Sequence, residues 1–311
     1  MGEFLPDVHG AGRWPVPGRR SLLLAATGLA VTALSACALQ PPAAPAPGPV
    51  PAGPSPDPAP GVAAVGNLPD GPAAPPDPPS KSQIVAEFSG RKPVEWGLAV
   101  TGVVNRTSSP HAALTFDACG GPGGSGFDQK MLQTLRRLNV PATLFVNGRW
   151  IKANPGLVAE LASDPLFELA NHGFKHAPLS VTGRAAYGIT GTSDVADVFD
   201  EIMGNQAVME QMTGKAPRFF RPGTAFYDDV AAAVTRALGL TPVNFTVNGD
   251  GGATFPARVV ATEVGKVRGG DVVISHINQP AGGTAEGYAR ALPGLLDRGV
   301  TFARLGDALS L

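Results

Sequence analysis

Ala112-Ala113-Leu114-Thr115-Phe116-Asp117-Ala118-Cys119-Gly120-Gly121 is the stretch that decides how the chain folds. It is apolar apart from one threonine, closes on a carboxylate, and runs into glycine-rich sequence as far as Gly126. A short apolar run with β-branched and aromatic members, bounded by turn residues, reads as a buried strand. Asp117 then stands at the strand's C-terminal end, where α/β barrels and open α/β sheets carry their chemistry. Much further on, His172-Gly173-Phe174-Lys175-His176, Arg221, Asp250 and His276 each follow another apolar, strand-like run. The same logic brings all of them to one end of one sheet.

Beyond Asp117 the pattern is a regular βα alternation. Asp128 to Leu138 has Met131, Leu132, Leu135 and Leu138 on one helical face, with Asp128 as N-cap. Thr143 to Val146 is the next strand; Pro155 to Ala162 is a helix, with Asn154 as cap and proline in its first turn. Strands are then expected at Phe167–Ala170, Arg218–Phe220, Thr241–Val247, Val272–Ile274 and Val300–Ala303. Between them, helices are expected at Asp194–Met212, Asp228–Leu238, Pro256–Val267 and Ala285–Asp297. Such alternation calls for parallel strands joined by right-handed crossovers. The predicted fold is α/β, a distorted barrel of about seven or eight β/α units, with an open doubly wound sheet as runner-up. No dinucleotide glycine fingerprint follows the first strand, and no phosphate-binding Gly-Lys-Ser/Thr run is present. Ser82 to Thr107 reads as a lead-in, in which Ile84–Phe88 and Trp96–Val100 are either short strands or an irregular cap.

The N-terminal quarter reads differently. Arg19-Arg20 precede Ser21 to Ala36, which is small or apolar throughout and too short for a comfortable membrane span. This is the pattern of a secretory signal. Its end, Leu34-Ser35-Ala36-Cys37, resembles the bacterial lipobox, which implies lipidation of Cys37 and attachment to the outer face of a bacterial membrane. The arginine pair resembles a twin-arginine export signal. Sixteen of the 32 prolines fall between Pro41 and Pro79. That segment has too few large apolar residues to form a core, and it reads as an extended tether. The expected organisation is a signal peptide over 1–37, a linker over 38–80 and a folded domain over 81–311. A net charge of −1 provides no basic field for nucleic acid. With Cys37 lipidated, Cys119 is the only other cysteine and no intramolecular disulfide can form.

His172 and His176 are four residues apart, so their rings can meet one cation. Two imidazoles and a carboxylate make a common three-ligand site for Zn²⁺ or a similar ion. The order Thr-Phe-Asp, His-x-x-x-His, Phe-Arg-Pro-Gly, Val-Asn-Gly-Asp and Ile-Ser-His, spanning about Ala112 to Asp307, resembles the polysaccharide deacetylases, the NodB-homology carbohydrate esterases. Phe-Asp-Ala-Cys-Gly-Gly, Asn171-His172-Gly173 and Asn248-Gly249-Asp250 look like a variant branch of them. The resemblance implies a hydrolase of acetylated polysaccharide that depends on a divalent metal, Zn²⁺ first, with Co²⁺ or Ni²⁺ as alternatives. It implies His172 and His176 as metal ligands, Arg221 as partner of the catalytic Asp117, and the backbone N–H of Thr224 as oxyanion donor. It also implies Asp250 as orienter of His276, the general acid.

One position departs from that pattern. The family carries a second, metal-binding aspartate where this chain has Ala118. Asp117 itself, a Cys119 thiolate or Asp128 is then the candidate third ligand. Asp117 is favoured near the ion with its role as base or ligand open, and Asp128 is preferred as a helix cap. The expected reaction is removal of acetyl groups from peptidoglycan or a chitin-like glycan, N-deacetylation ahead of O-deacetylation. The competing readings are hydrolysis of a small amide and a glycan-binding scaffold that has lost its metal. The glycine run after Cys119 suggests close approach of backbone to something bound.

Overall fold

The structure is a computed structural model that describes residues 78–310. The signal segment, Cys37 and nearly all of the linker lie outside those residues.

Helix α1 (Lys81–Phe88) opens the described chain where short strands were one expectation. Ser80 and Gln83 form a reciprocal capping box at its start, and Ile84 and Phe88 are its buried positions. Their spacing of four is helical, not the period of two that a strand would use. The elements that follow are β1 (Trp96–Gly97), β2 (Ala113–Ala118), α2 (Gln129–Leu138), β3 (Ala142–Val146), α3 (Gly148–Ala153), α4 (Pro155–Ser163) and β4 (Phe167–Asn171). Then come α5 (Val195–Thr213), β5 (Phe219–Phe220), β6 (Tyr227–Asp228), α6 (Asp229–Ala237), β7 (Thr241–Pro242) and β8 (Val247–Asn248). The last are α7 (Ala257–Val264), β9 (Val272–His276), α8 (Thr284–Asp297) and α9 (Leu305–Ala308).

Seven strands form one parallel sheet in the order β7-β5-β4-β3-β2-β9-β8, and β1 pairs antiparallel with β6 in a small second sheet. Strands β7 and β8 are the two edges of the large sheet, yet a few residues join them in sequence, so the sheet curls until its edges approach. The expected single strand over 241–247 is therefore two short edge strands. Val300–Ala303 adds only an isolated bridge, Ala112 to Phe302, and α3 was not anticipated.

Alternation along the strands sorts the core. Leu114, Phe116 and Ala118 of β2 join Leu144, Val146 and Val273 in the cluster that packs against α2, α4, α7 and α8. Ala113, Phe145, Ala170, Phe219, Val243 and Val272 point the other way and plug the inside of the curled sheet with Leu305. A third cluster joins α1, α5 and α6. Period-two geometry therefore puts Thr115 and Asp117 of β2 on the inner side, and places Ala118 among the helices.

Asp128 caps α2 through its side chain, accepting from Met131 N–H at 3.1 Å. Asn154 precedes α4 but makes no side-chain cap there; its amide instead donates to the carbonyls of Ser125 and Trp150. The glycine run after Cys119 also has a structural cause. Gly120 has φ +67°, and a Cβ on it would lie 2.4 Å from the Trp150 backbone nitrogen. At Gly120 the close approach is to the start of α3.

Candidate active site

Asp117, His172, Arg221 and His276 sit at the C-terminal ends of, or just beyond, β2, β4, β5 and β9. Parallel registry sets Asp117 beside His276 on neighbouring strands. Asp117, Cys119, His176, Thr224 and His276 line one cleft of about 520 Å³, together with Tyr187, Phe245 and Phe255.

Asp117 is almost fully buried, and one of its oxygens accepts from Arg221 Nη1 at 2.8 Å. The guanidinium is itself completely buried; it also donates to the carbonyls of Val243 and Asn244 and lies 4.2 Å from the Phe145 ring centroid. Burial pushes the Asp117 carboxyl up, but the charges of His172, Arg221 and His276 outweigh it and hold the group below its ordinary value. It is a carboxylate at neutral pH.

His276 is held at two points by the buried Asp250. One carboxylate oxygen accepts the His276 ring Nδ1–H at 2.9 Å, and the other accepts the His276 backbone N–H at 2.7 Å. The second oxygen also accepts from the Thr284 hydroxyl at 2.9 Å. Burial works to lower the His276 pKa, yet the charge and hydrogen bond of Asp250, with the Cys119 sulfur nearby, raise it well above the usual value. The Asp250 side chain points back under the histidine, as the orienting role expects.

His172 Nδ1 donates to the Arg221 carbonyl at 2.9 Å. That bond fixes the tautomer, so in the neutral ring Nε2 presents a lone pair to the site. Nε2 lies 3.6 Å from an Asp117 oxygen and 3.7 Å from Cys119 Sγ. The His172 and His176 rings meet edge to face, 5.0 Å between centroids. His176 has φ +69°, and its Nε2 is buried with no hydrogen-bond partner among the described residues. One ligand atom from each of Cys119, His172 and His176 lies within 4.8 Å of the others. Burial lowers the affinity of His172 for a proton, but Asp117 and Cys119 more than offset it and the pKa is raised. Surroundings that draw positive charge onto an imidazole would equally favour a cation. An orphaned imidazole nitrogen, a second one oriented by its own backbone bond, and an adjacent thiol are a donor set that fits a divalent ion such as Zn²⁺.

Two supports were not visible in the sequence. Glu201 of α5, completely buried, accepts from the backbone N–H groups of Lys175, His176 and Ala177 and so shapes the loop that carries the second histidine. Asn147 donates to the carbonyls of His172 and Gly173. Neither has a local signal, because each acts across a long sequence separation. Gly223 allows the turn after Arg221 to pass His176, since a Cβ there would lie 2.3 Å from the imidazole Cγ.

The polysaccharide deacetylase family model matches residues 104–243. A chitooligosaccharide deacetylase of Sinorhizobium fredii is 27% identical over 62% of this chain and 89% of its own length. The peptidoglycan-N-acetylglucosamine deacetylase PgdA of Listeria monocytogenes is 25% identical over 72% of this chain and 44% of its own. The chain spans about half the length of several curated relatives that it matches. A solved CE4 family pseudoenzyme from Bacillus anthracis shares the fold with a TM-score of 0.56 at 20% identity, over 68% of this chain and 70% of that one.

Proposed function

We propose, from the match of residues 104–243 to the polysaccharide deacetylase family model, that this chain is a metal-dependent hydrolase of that family that removes acetyl groups from a polysaccharide, N-acetyl ahead of O-acetyl. The observation that carries this reading is the pairing of two opposite proton-transfer groups across one cleft. Asp117 accepts from Arg221, which favours its ionised form, and His276 is bonded through Nδ1 to Asp250, which favours its protonated form.

His172 and His176 would hold the ion, which when bound polarises an acyl carbonyl and acidifies water beside it. Asp117 accepts the proton of the attacking water. Arg221 keeps its carboxylate charged and fixed in direction, leaving one oxygen facing His172. The Thr224 backbone N–H, beside the cleft, serves the oxyanion. His276 has Nδ1 tied to Asp250, so Nε2 delivers the proton to the leaving amine. The products are a free amine and acetate.

The substrate class follows from the relatives' chemistry and from the N-terminal segment. A lipid at Cys37 and a tether over 38–80 would place the domain against cell-wall glycan, and the two curated relatives are by name deacetylases of chitooligosaccharide and of peptidoglycan N-acetylglucosamine. Ala118, turned into the helix-facing core, favours one competing reading, a glycan-binding scaffold without metal.

The test is acetate release from peptidoglycan and chitooligosaccharides by metal-loaded, chelated and reloaded protein. Loaded protein is expected to release acetate, chelated protein to lose the activity, and reloading to restore it. No release under any loading would leave the scaffold. Release from small amides alone would replace the glycan as substrate.

A further inference from the structure

We infer that Cys119 is the third protein ligand of the cation, bound as a thiolate, so that the centre is a two-histidine, one-cysteine site and not one closed by a carboxylate. The inference rests on the metal-dependent reading above and specifies its ligand set. It starts from strand geometry. Residues 113, 115 and 117 of β2 face the inside of the curled sheet, while 114, 116 and 118 face the helices. A side chain at 118 is directed away from the histidines, and the next residue on the inner side is Cys119.

The placement of the sulfur agrees. Cys119 Sγ lies 3.7 Å from His172 Nε2 and within 4.8 Å of a ring nitrogen of His176. His176 Nε2 is buried and has no hydrogen-bond partner among the described residues, as a ligand atom directed at a shared ion would be. The other two candidates do not complete the cluster. Asp117 gives one oxygen to Arg221 and holds the other 3.6 Å from His172 Nε2, and Asp128 gives one oxygen to the cap of α2, but among the described residues the ligand atoms that gather within 4.8 Å of both histidines include the Cys119 sulfur and neither carboxylate. The cysteine is also held in place: Arg149 donates to its carbonyl at 3.1 Å, and Gly120 locks the following turn against α3. On binding, the thiol releases its proton to solvent and the thiolate takes the ion. Asp117 is thereby left free as the base, which settles its two possible roles in favour of proton transfer.

The probe is Co²⁺, titrated into the reduced full-length chain and followed by absorption and by competition with a chelator. The native chain is expected to take up one Co²⁺ and to develop an intense near-ultraviolet sulfur-to-cobalt charge-transfer band. That band should persist in Cys37→Ser. Cys119→Asp should still take up one Co²⁺ but show only the weaker visible bands. Cys119→Ser should bind Co²⁺ at least about 10–100-fold more weakly, the loss typical of removing even an outer partner of a metal. Uptake of one Co²⁺ by the native chain without the band would overturn the thiolate ligand and leave the metal-dependent reading standing. So would a band that survives in Cys119→Asp. Failure of the native chain to bind Co²⁺ at all would overturn both. The native spectrum decides even if a variant fails to fold.

Discussion

His276→Ala is expected to lower acetate release by about 10²–10⁴-fold, the usual contribution of a positioned general acid. The loss should fall on kcat and leave KM nearly unchanged, because the imidazole's contribution comes when the leaving nitrogen gains its proton. The native pH profile follows from the two shifted groups. Asp117 lies below its ordinary value, so the acid limb should fall below the usual carboxylate range. His276 is raised, so the acid form persists past the ordinary imidazole value of about 6.5 and activity declines only as pH climbs through the higher one. Asp250→Asn should bring that alkaline limb back toward the ordinary value while leaving the acid limb in place. A structural role for Asp250 alone would reduce activity without moving the limb. Equal acetate release from native protein and His276→Ala would remove the histidine from the reaction.

Arg221→Met is expected to destabilise the fold by roughly 3–5 kcal/mol, the cost of breaking a buried ion pair from one side. The replacement keeps a long apolar side chain against Phe145 but leaves the Asp117 carboxylate buried with its main partner gone. Urea unfolding at neutral pH measures the loss. The pair also makes stability depend on pH. A carboxyl whose folded pKa is depressed contributes stability above its unfolded pKa, and that contribution disappears as pH falls through the folded one. The stability gap between native and Arg221→Met should therefore narrow in acid, below the ordinary carboxylate range. A gap that stays constant from neutral pH into strong acid would show that Arg221 supports the fold by packing alone.

Much of this arrangement was legible because strand ends concentrate chemistry. Asp117, Arg221 and His276 each close a short apolar run, and parallel pairing carries such residues to one edge. The helical faces read equally well: Met131, Leu132 and Leu135 are all buried in α2. Two kinds of feature escaped. Edge strands of two residues, β5, β7 and β8, carry too little periodic signal to fix their bounds. α1 was ambiguous because only Ile84 and Phe88 of its eight residues are buried. The supports of the histidines escaped for a different reason. Glu201 and Asn147 are ordinary polar residues until the fold brings backbone N–H groups and carbonyls to them. The departure at Ala118 was visible, but its meaning depended on which face of β2 it occupies, and only the packing around that strand shows this.

Everything in the proposed chemistry depends on two histidines and a third donor meeting around one cation beside Asp117. The most direct measurement is the metal content of purified native protein and of His172→Ala after both are equilibrated with Zn²⁺ and freed of excess. About one ion per native chain and almost none in the folded variant is the expected result. Native protein that retains no ion, or a folded His172→Ala that retains as much as the native, would contradict a metal centre at this site.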